Sequence, residues 1–194
     1  MLRLFIALAA ILVHTGIGTF SPAMPQEATP MPLVSFQSPS EAEAWRTVND
    51  GVMGGRSSGG SRVEDGQLIF SGVINTKGGG FSSVRRAMVP GALEGAEAIV
   101  LSLKPDGRRY RLIARTSARF MGRPVSYQAP IPQSPAGEWS TVRVPVSDFS
   151  PSVFGRRVTA SRFSPAEVSE LGFIIADKRD GAFTLEVRSI GTDR

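Results

Sequence analysis

From residue 33 onward the apolar residues come in short runs or alternate with polar ones, and Gly, Pro, Asp and Ser separate the runs. Alternation puts successive side chains on opposite faces of an extended backbone, so this pattern predicts half-buried β-strands. The segments that carry it are Leu33–Phe36, Ser61–Val63, Gln67–Ser71, Phe81–Arg86, Ala98–Leu103, Tyr110–Arg115, Val125–Ala129, Thr141–Val146, Gly172–Ile175 and Phe183–Ile190. In Tyr110–Arg115 one face holds Tyr110, Leu112 and Ala114, and the other Arg111, Ile113 and Arg115. In Phe183–Ile190 the apolar face is Phe183, Leu185 and Val187, opposite Thr184, Glu186 and Arg188. Many short strands broken by turn residues define an all-β, antiparallel sandwich. Glu64-Asp-Gly66 supplies a hairpin turn, because Asp-Gly accepts the positive φ angles such a turn needs.

Helix signals are few. Ser40-Glu-Ala-Glu43 has the spacing of a capping box and predicts one short turn leading to Trp45. Ser164-Pro-Ala-Glu167 repeats it, with Pro at the first helical position.

Three glycine-rich turns interrupt the strands. The first, Trp45 to Gly59, holds Trp45, Asn49-Asp50 and Met53-Gly54-Gly55; the others are Lys77-Gly-Gly-Gly-Phe81 and Pro105-Asp-Gly-Arg-Arg-Tyr110. Gly lacks a Cβ, so such loops pack tightly against neighbouring backbone. Lys77–Phe81 lacks the Gly-Lys-Ser/Thr order of a phosphate loop and reads as a bulge or a close approach of two backbones.

Composition narrows the chemistry. The 194 residues are 41% hydrophobic and contain no Cys, which excludes disulfides, thiolate metal sites and thiol nucleophiles. The single His is His14, in the leader, so the Ser-His-Asp triad and histidine-ligated metals are excluded from the domain. The net charge is +5, and Arg supplies 19 of the 22 basic residues. These are scattered and no nucleic-acid motif accompanies them, so nucleic acid is not an expected partner. Met1-Leu-Arg3, the apolar run Leu4–Val13 and the small residues around Ser21-Pro-Ala23 read as an export signal. The run is too short for a membrane-spanning helix; an uncleaved interfacial anchor is the alternative. The expected organisation is a signal peptide over residues 1–23, a Pro-rich linker over 24–32 and one β-sandwich domain over 33–194. That domain is expected in the periplasm or secreted.

The motifs occur in the order of a known family. Trp45, Asn49-Asp50, Met53-Gly54-Gly55 and Ser57 are followed by Phe70 and Gly72, then Gly79-Gly80-Phe81-Ser82. Asp106-Gly107-Arg108 with Tyr110, then Trp139, Val144-Pro145, Phe149 and Leu171-Gly172-Phe173 complete the set. On these residues the chain resembles the complex I intermediate-associated protein 30 family over about residues 33–190. Pro105 departs from that pattern, standing where the family tends to have Gly before Asp-Gly. The resemblance implies a jelly-roll sandwich similar to galactose-binding domains. It also implies a non-catalytic, chaperone-like role such as respiratory complex I assembly, although the export signal does not fit the mitochondrial location of the eukaryotic members. The family supplies no catalytic residue.

The expected ligand or partner groove comprises Asn49, Asp50, Asp106, Arg108, Tyr110 and Tyr127. Asp50 has a second reading, as the tie that holds the glycine loop. Trp45, Met53, Gly54, Gly55, Gly80, Phe81 and Trp139 are read as structural, with both Trp rings in the core. Arg109, Arg111 and Arg115 share one strand face and make either a basic stripe for an acidic partner or a solvated face. Asp106, Asp177 and Asp180 are not assigned to calcium, and no cofactor, metal or catalytic residue is expected. The expected partner is a protein, including a membrane-associated one, or a glycan. A carbohydrate-binding module is the alternative function. A polysaccharide-processing enzyme built on paired carboxylates is the third.

Overall fold

The computed structural model describes residues 30–193. Thirteen strands form two antiparallel sheets. In chain order they are β1 (Met31–Ser35), β2 (Trp45–Asn49), β3 (Ser58–Glu64), β4 (Gln67–Ile74), β5 (Ser82–Ala87), β6 (Ala98–Pro105), β7 (Tyr110–Phe120), β8 (Arg123–Pro130), β9 (Ser140–Pro145), β10 (Ser150–Val153), β11 (Arg156–Arg157), β12 (Glu170–Ile175) and β13 (Gly181–Asp193). The first sheet runs β3-β4-β13-β6-β9, and β1 also pairs with β13. The second runs β11-β10-β8-β7-β12-β5-β2. The protein is an antiparallel jelly-roll β-sandwich.

Alternation decides which side chains fill the space between the sheets. Tyr110, Leu112 and Ala114 of β7 point inward, as do Phe183, Leu185 and Val187 of β13. Phe70 meets Phe183 edge-on at 4.8 Å between centroids, and Trp45 lies 6.0 Å from both Phe36 and Phe173. Burying each such side chain contributes about 1.5–3 kcal/mol.

All ten predicted segments lie in strands, with ends displaced by up to five residues. Three further strands lie at the two ends of the seven-stranded sheet, β2 at one edge and β10 with the edge strand β11 at the other. β2 pairs only with β5 and presents exposed Arg46 and Thr47, so it lacks a clean apolar alternation. β10 contains Pro151, and β11 is two exposed arginines. The structure also moves the linker boundary. Met31 and Pro32, assigned to the linker, open β1, which has β13 as its one neighbour. An edge strand tolerates a residue without an N–H, and the register slips between Pro32 and Val34. The leader lies outside the described residues.

The predicted turns form, but not their side-chain caps. Pro39–Glu41 and Pro165–Glu167 are single 3₁₀ turns. The Ser40 hydroxyl bonds the Ser38 hydroxyl at 2.7 Å, and Ser164 makes no capping bond. Glu41 instead takes the Arg86 guanidinium at 3.0 Å. Trp139 corrects the core reading of both tryptophans. It is half-buried outside the core, with the Arg188 guanidinium 3.6 Å from its ring centroid and Lys104 Nζ at 5.5 Å. The Glu64-Asp-Gly66 hairpin forms as expected, with φ of 50° at Asp65 and 72° at Gly66.

Candidate functional site

Five of the six predicted groove residues lie at one end of the sandwich, among the loops after β2, β4, β6 and β12. Asp50 is fully buried there. Its carboxylate accepts the Ser57 N–H at 2.9 Å, the Ser57 hydroxyl at 2.6 Å, the Gly80 N–H at 2.5 Å and the Phe81 N–H at 3.3 Å. Burial alone would raise its pKa; the bonds from Ser57, Gly80 and Phe81 outweigh this and hold the carboxyl below its ordinary range. Two glycines give it room. A Cβ on Gly55 or Gly79 would overlap the Asp50 side chain, while Gly54 and Gly80 hold φ of 84° and 118°. Asn49 donates to the Gly59 carbonyl at 3.1 Å and accepts the Ser82 hydroxyl at 2.7 Å. Met53 projects from this loop, exposed.

A second network adjoins it. Arg108 forms a two-point ion pair with Asp177, Nε to Oδ2 and Nη2 to Oδ1, both at 2.7 Å. It also donates to the carbonyls of Arg179, Gly181 and Ala182 at 2.5, 3.2 and 2.8 Å. The hydrogen bonds that Arg108 donates to the Asp177 carboxylate, working against burial, raise the Arg108 pKa. Asp106 accepts the Arg108 N–H at 2.9 Å, the Tyr110 hydroxyl at 3.0 Å and the Thr184 N–H at 2.7 Å. Burial, reinforced by Asp106, pushes the Tyr110 hydroxyl far above its ordinary pKa. Asp180 accepts the Thr76 N–H at 2.6 Å and joins the two networks.

Tyr127 lies elsewhere, buried in β8, with its hydroxyl bonded to the Ser161 carbonyl at 2.9 Å. It holds down the chain between β11 and β12. The six residues thus do not share one groove surface. Five knit the loops at one end, and the sixth anchors a connection along one side.

The outer face of the seven-stranded sheet has a different character. Cross-strand register aligns Arg46, Arg85, Gly172, Ile113 and Gln128 in one row over β2, β5, β12, β7 and β8. At about 4.8 Å per strand the row spans roughly 20 Å. Glu170 and Arg115 pair in the next row, and Ile174 and Arg111 on the other side. β5 closes so tightly on Gly172 that a Cβ there would lie 2.8 Å from Arg85 Cα.

Arg85 is the anomaly of this face. It is 7% exposed, its Nε has no hydrogen-bond partner among the described residues, and it forms no ion pair among them. Glu170, the nearby carboxylate, takes Arg46 at 2.9 Å and Arg115 at 3.8 Å instead. Burial, then the charge of Arg115 and more weakly that of Arg46, pulls the Arg85 pKa down to about 10, against Glu170. Three guanidiniums around one carboxylate leave an excess of two positive charges. Arg111 repeats the condition: its Nε is buried and unpaired among the described residues, and burial with Arg157 nearby lowers its pKa. The basic stripe therefore runs through half-buried Arg111 and Arg115 rather than a fully solvated face, and exposed Arg109 precedes the strand.

Arg111 also borders an open cleft of about 660 Å³, walled by Asp148, Arg157, Arg162 and Phe163 among others. Tyr127 and Phe163 pack 5.2 Å apart beneath that wall. Sequence reasoning found Arg111 and Arg115 but missed Arg46, Arg85 and Glu170. Alternation in Phe81–Arg86 already sets Arg85 opposite Val84, on the outward face; the cross-strand register that clusters the arginines is the part a single strand does not reveal.

Fold and site together define a jelly-roll domain with a cationic sheet face. The sequence profile of the complex I intermediate-associated protein 30 family matches residues 34–187, and the chain belongs to that family. No curated protein sequence matches it. Among solved structures it resembles the family 11 carbohydrate-binding module of the cellulosomal cellulase Lic26A-Cel5E of Clostridium thermocellum, at 13% identity and a TM-score of 0.54, over 75% of this chain and 88% of that one. The family 11 module from Clostridium thermocellum in complex with a β-1,3-1,4-mixed-linked tetrasaccharide is similar at 14% identity and a TM-score of 0.54, over 74% of this chain and 88% of that one. These likenesses establish the jelly-roll fold.

Proposed function

We propose that this protein is an exported, non-catalytic binding module that acts like an assembly factor, holding an acidic protein partner against the outer face of the seven-stranded sheet. The observation that carries this reading is Arg85, a buried guanidinium without a carboxylate partner among the described residues, flanked by Arg46 and Arg115. A buried charge costs stability unless it is paired. A partner carboxylate seated over Gly172 supplies the missing acceptor, and a guanidinium fork receives a carboxylate at two points. Family membership supports the assembly-factor reading, with respiratory complex I as the reference case.

A second reading, an acidic-glycan-binding module, is favoured by the cleft that continues the face beyond Arg111. Neutral sugar rings find little to stack on: Trp45, Tyr110 and Tyr127 point into the core and Trp139 lies beside Lys104 and Arg188.

The test compares wild type and Arg85→Ala for binding to polyglutamate and to polygalacturonate across a salt series. Saturable polyglutamate binding that Arg85→Ala abolishes supports the protein-partner reading. Polygalacturonate binding alone moves the assignment to glycans. No binding to either polyanion, or turnover of a polysaccharide, overturns the proposal.

A further inference from the structure

Three two-residue hairpins in this protein share one geometry and differ in one respect. Asp65-Gly66, Met121-Gly122 and Phe154-Gly155 each place a non-glycine residue at φ of 49–50° and a glycine at 72–76°. The first central position of such a turn favours Asn, Asp or Gly, whose left-handed backbone is least strained. Asp65 obeys this rule. Met121 and Phe154 break it, and they leave large apolar side chains 86% and 66% exposed.

The two exceptions are neighbours. β8 pairs with β7 on one side and β10 on the other, so the turns that end β7 and β10 lie side by side at one end of the sheet. That end is opposite the glycine-loop network, since β7 begins at Tyr110 beside that network and ends at Phe120. The surroundings are basic. Arg119, Arg123, Arg156 and Arg157 flank the turns, and none forms an ion pair among the described residues. The Arg123 guanidinium lies 5.1 Å from the Phe154 ring centroid.

We infer that this end is a docking tip for an anionic lipid surface, with Met121 and Phe154 entering the headgroup boundary and the arginines meeting the phosphates. Two protruding side chains cover far less than the ~800 Å² per partner that a specific protein interface buries. A bilayer boundary accepts isolated apolar side chains ringed by cations, and its negative surface attracts them before contact. Strain at both turns, apolar exposure and unpaired positive charge then have one common cause.

The absence of Cys from the chain makes the test clean, because one introduced thiol labels uniquely. The full chain carrying Met121→Cys with a polarity-sensitive fluorophore is mixed with phosphatidylcholine vesicles, with and without about 30% phosphatidylglycerol. A blue shift with the anionic vesicles, weakened by salt, is expected. The same label at Asp65→Cys, on the matching turn, is expected not to shift. The leader is common to all variants, and the readout is local to the turn. In unlabelled protein, the double variant Met121→Asn with Phe154→Asn is expected to lose vesicle binding about tenfold relative to the same chain without the changes. Its melting temperature should hold or rise, because Asn suits the turn better. No shift at Met121, an equal shift at Asp65, or undiminished binding by the double variant overturns the inference. A concentration-dependent shift without vesicles overturns it in favour of a second copy of the chain.

Discussion

Arg108 and Asp177 stand 69 residues apart in sequence and meet through two parallel hydrogen bonds of 2.7 Å in a buried site. The pair clamps the turn before β7 to the turn before β13, one from each sheet. The three carbonyls that Arg108 also reaches make the clamp an Arg position rather than a generic cationic one. Arg108→Ala should therefore cost about 3–5 kcal/mol, because it strands the Asp177 charge. Arg108→Lys should recover only part of that loss. Urea denaturation midpoints check both.

The glycines around Asp50 give a second test, based on contact rather than on φ. Gly55→Ala and Gly79→Ala each press a methyl group onto the Asp50 carboxylate and should destabilise the domain by about 1–3 kcal/mol. Gly59→Ala belongs with them, since its Cβ would overlap the Ser82 hydroxyl. Gly51→Ala, with open space around it, should be close to neutral. Thermal melts of the four variants rank them.

Acid should unfold the protein in a defined window. Asp50 and Asp177 both have folded pKa values below their ordinary 3.8, held there by hydrogen-bond donors against burial. A depressed carboxylate contributes stability above the unfolded pKa and loses it as pH falls through the folded one. The melting temperature should hold down to about pH 4 and drop below it. Asp50→Asn should be less stable at neutral pH and flatter in acid. Melting curves between neutral pH and strong acid settle the slope.

Arg85 predicts the opposite of an ordinary core mutation. Arg85→Met removes a buried charge that has no ion pair among the described residues and keeps much of the packing volume, so it should stabilise the domain by about 1–3 kcal/mol. The same change should abolish polyanion binding. Arg188→Met, on the other sheet, should leave binding intact. Paired calorimetry and binding titrations measure both effects.

Much of the sandwich could be read from alternation, because inward and outward positions on β7 and β13 are fixed by side-chain period alone. The two ends of the seven-stranded sheet could not. β2 has too little apolar surface, β10 carries a proline and β11 is two exposed arginines, and β2 and β10 join the sheet through β5 and β8, which are distant in sequence. The polar residues divide the same way. Asp50 and Arg108 stood out through their motifs, and the structure shows their hydrogen-bonding capacity largely spent on loop closure. Arg85 carries no motif; only the register that sets it against Gly172, with Arg46 and Arg115 nearby, marks it. Trp139 was misplaced because a large ring suggests a core, whereas an arginine stacked on it serves nearly as well to shield it from water.

β13, the last of the thirteen described strands, is the centre of its sheet, bordered by β6 along most of one side and by β4 and then β1 along the other. A nascent chain emerging from the ribosome holds the β3–β4 hairpin, the β6–β9 pair and the lone β1 strand with nothing to join them. The sheet can close only after β13 has emerged, so its other strands wait for a segment that is made after all of them. Until then the open edges of β4, β6 and β1 are free to pair with other chains, a hazard that a chaperone holding the nascent chain removes.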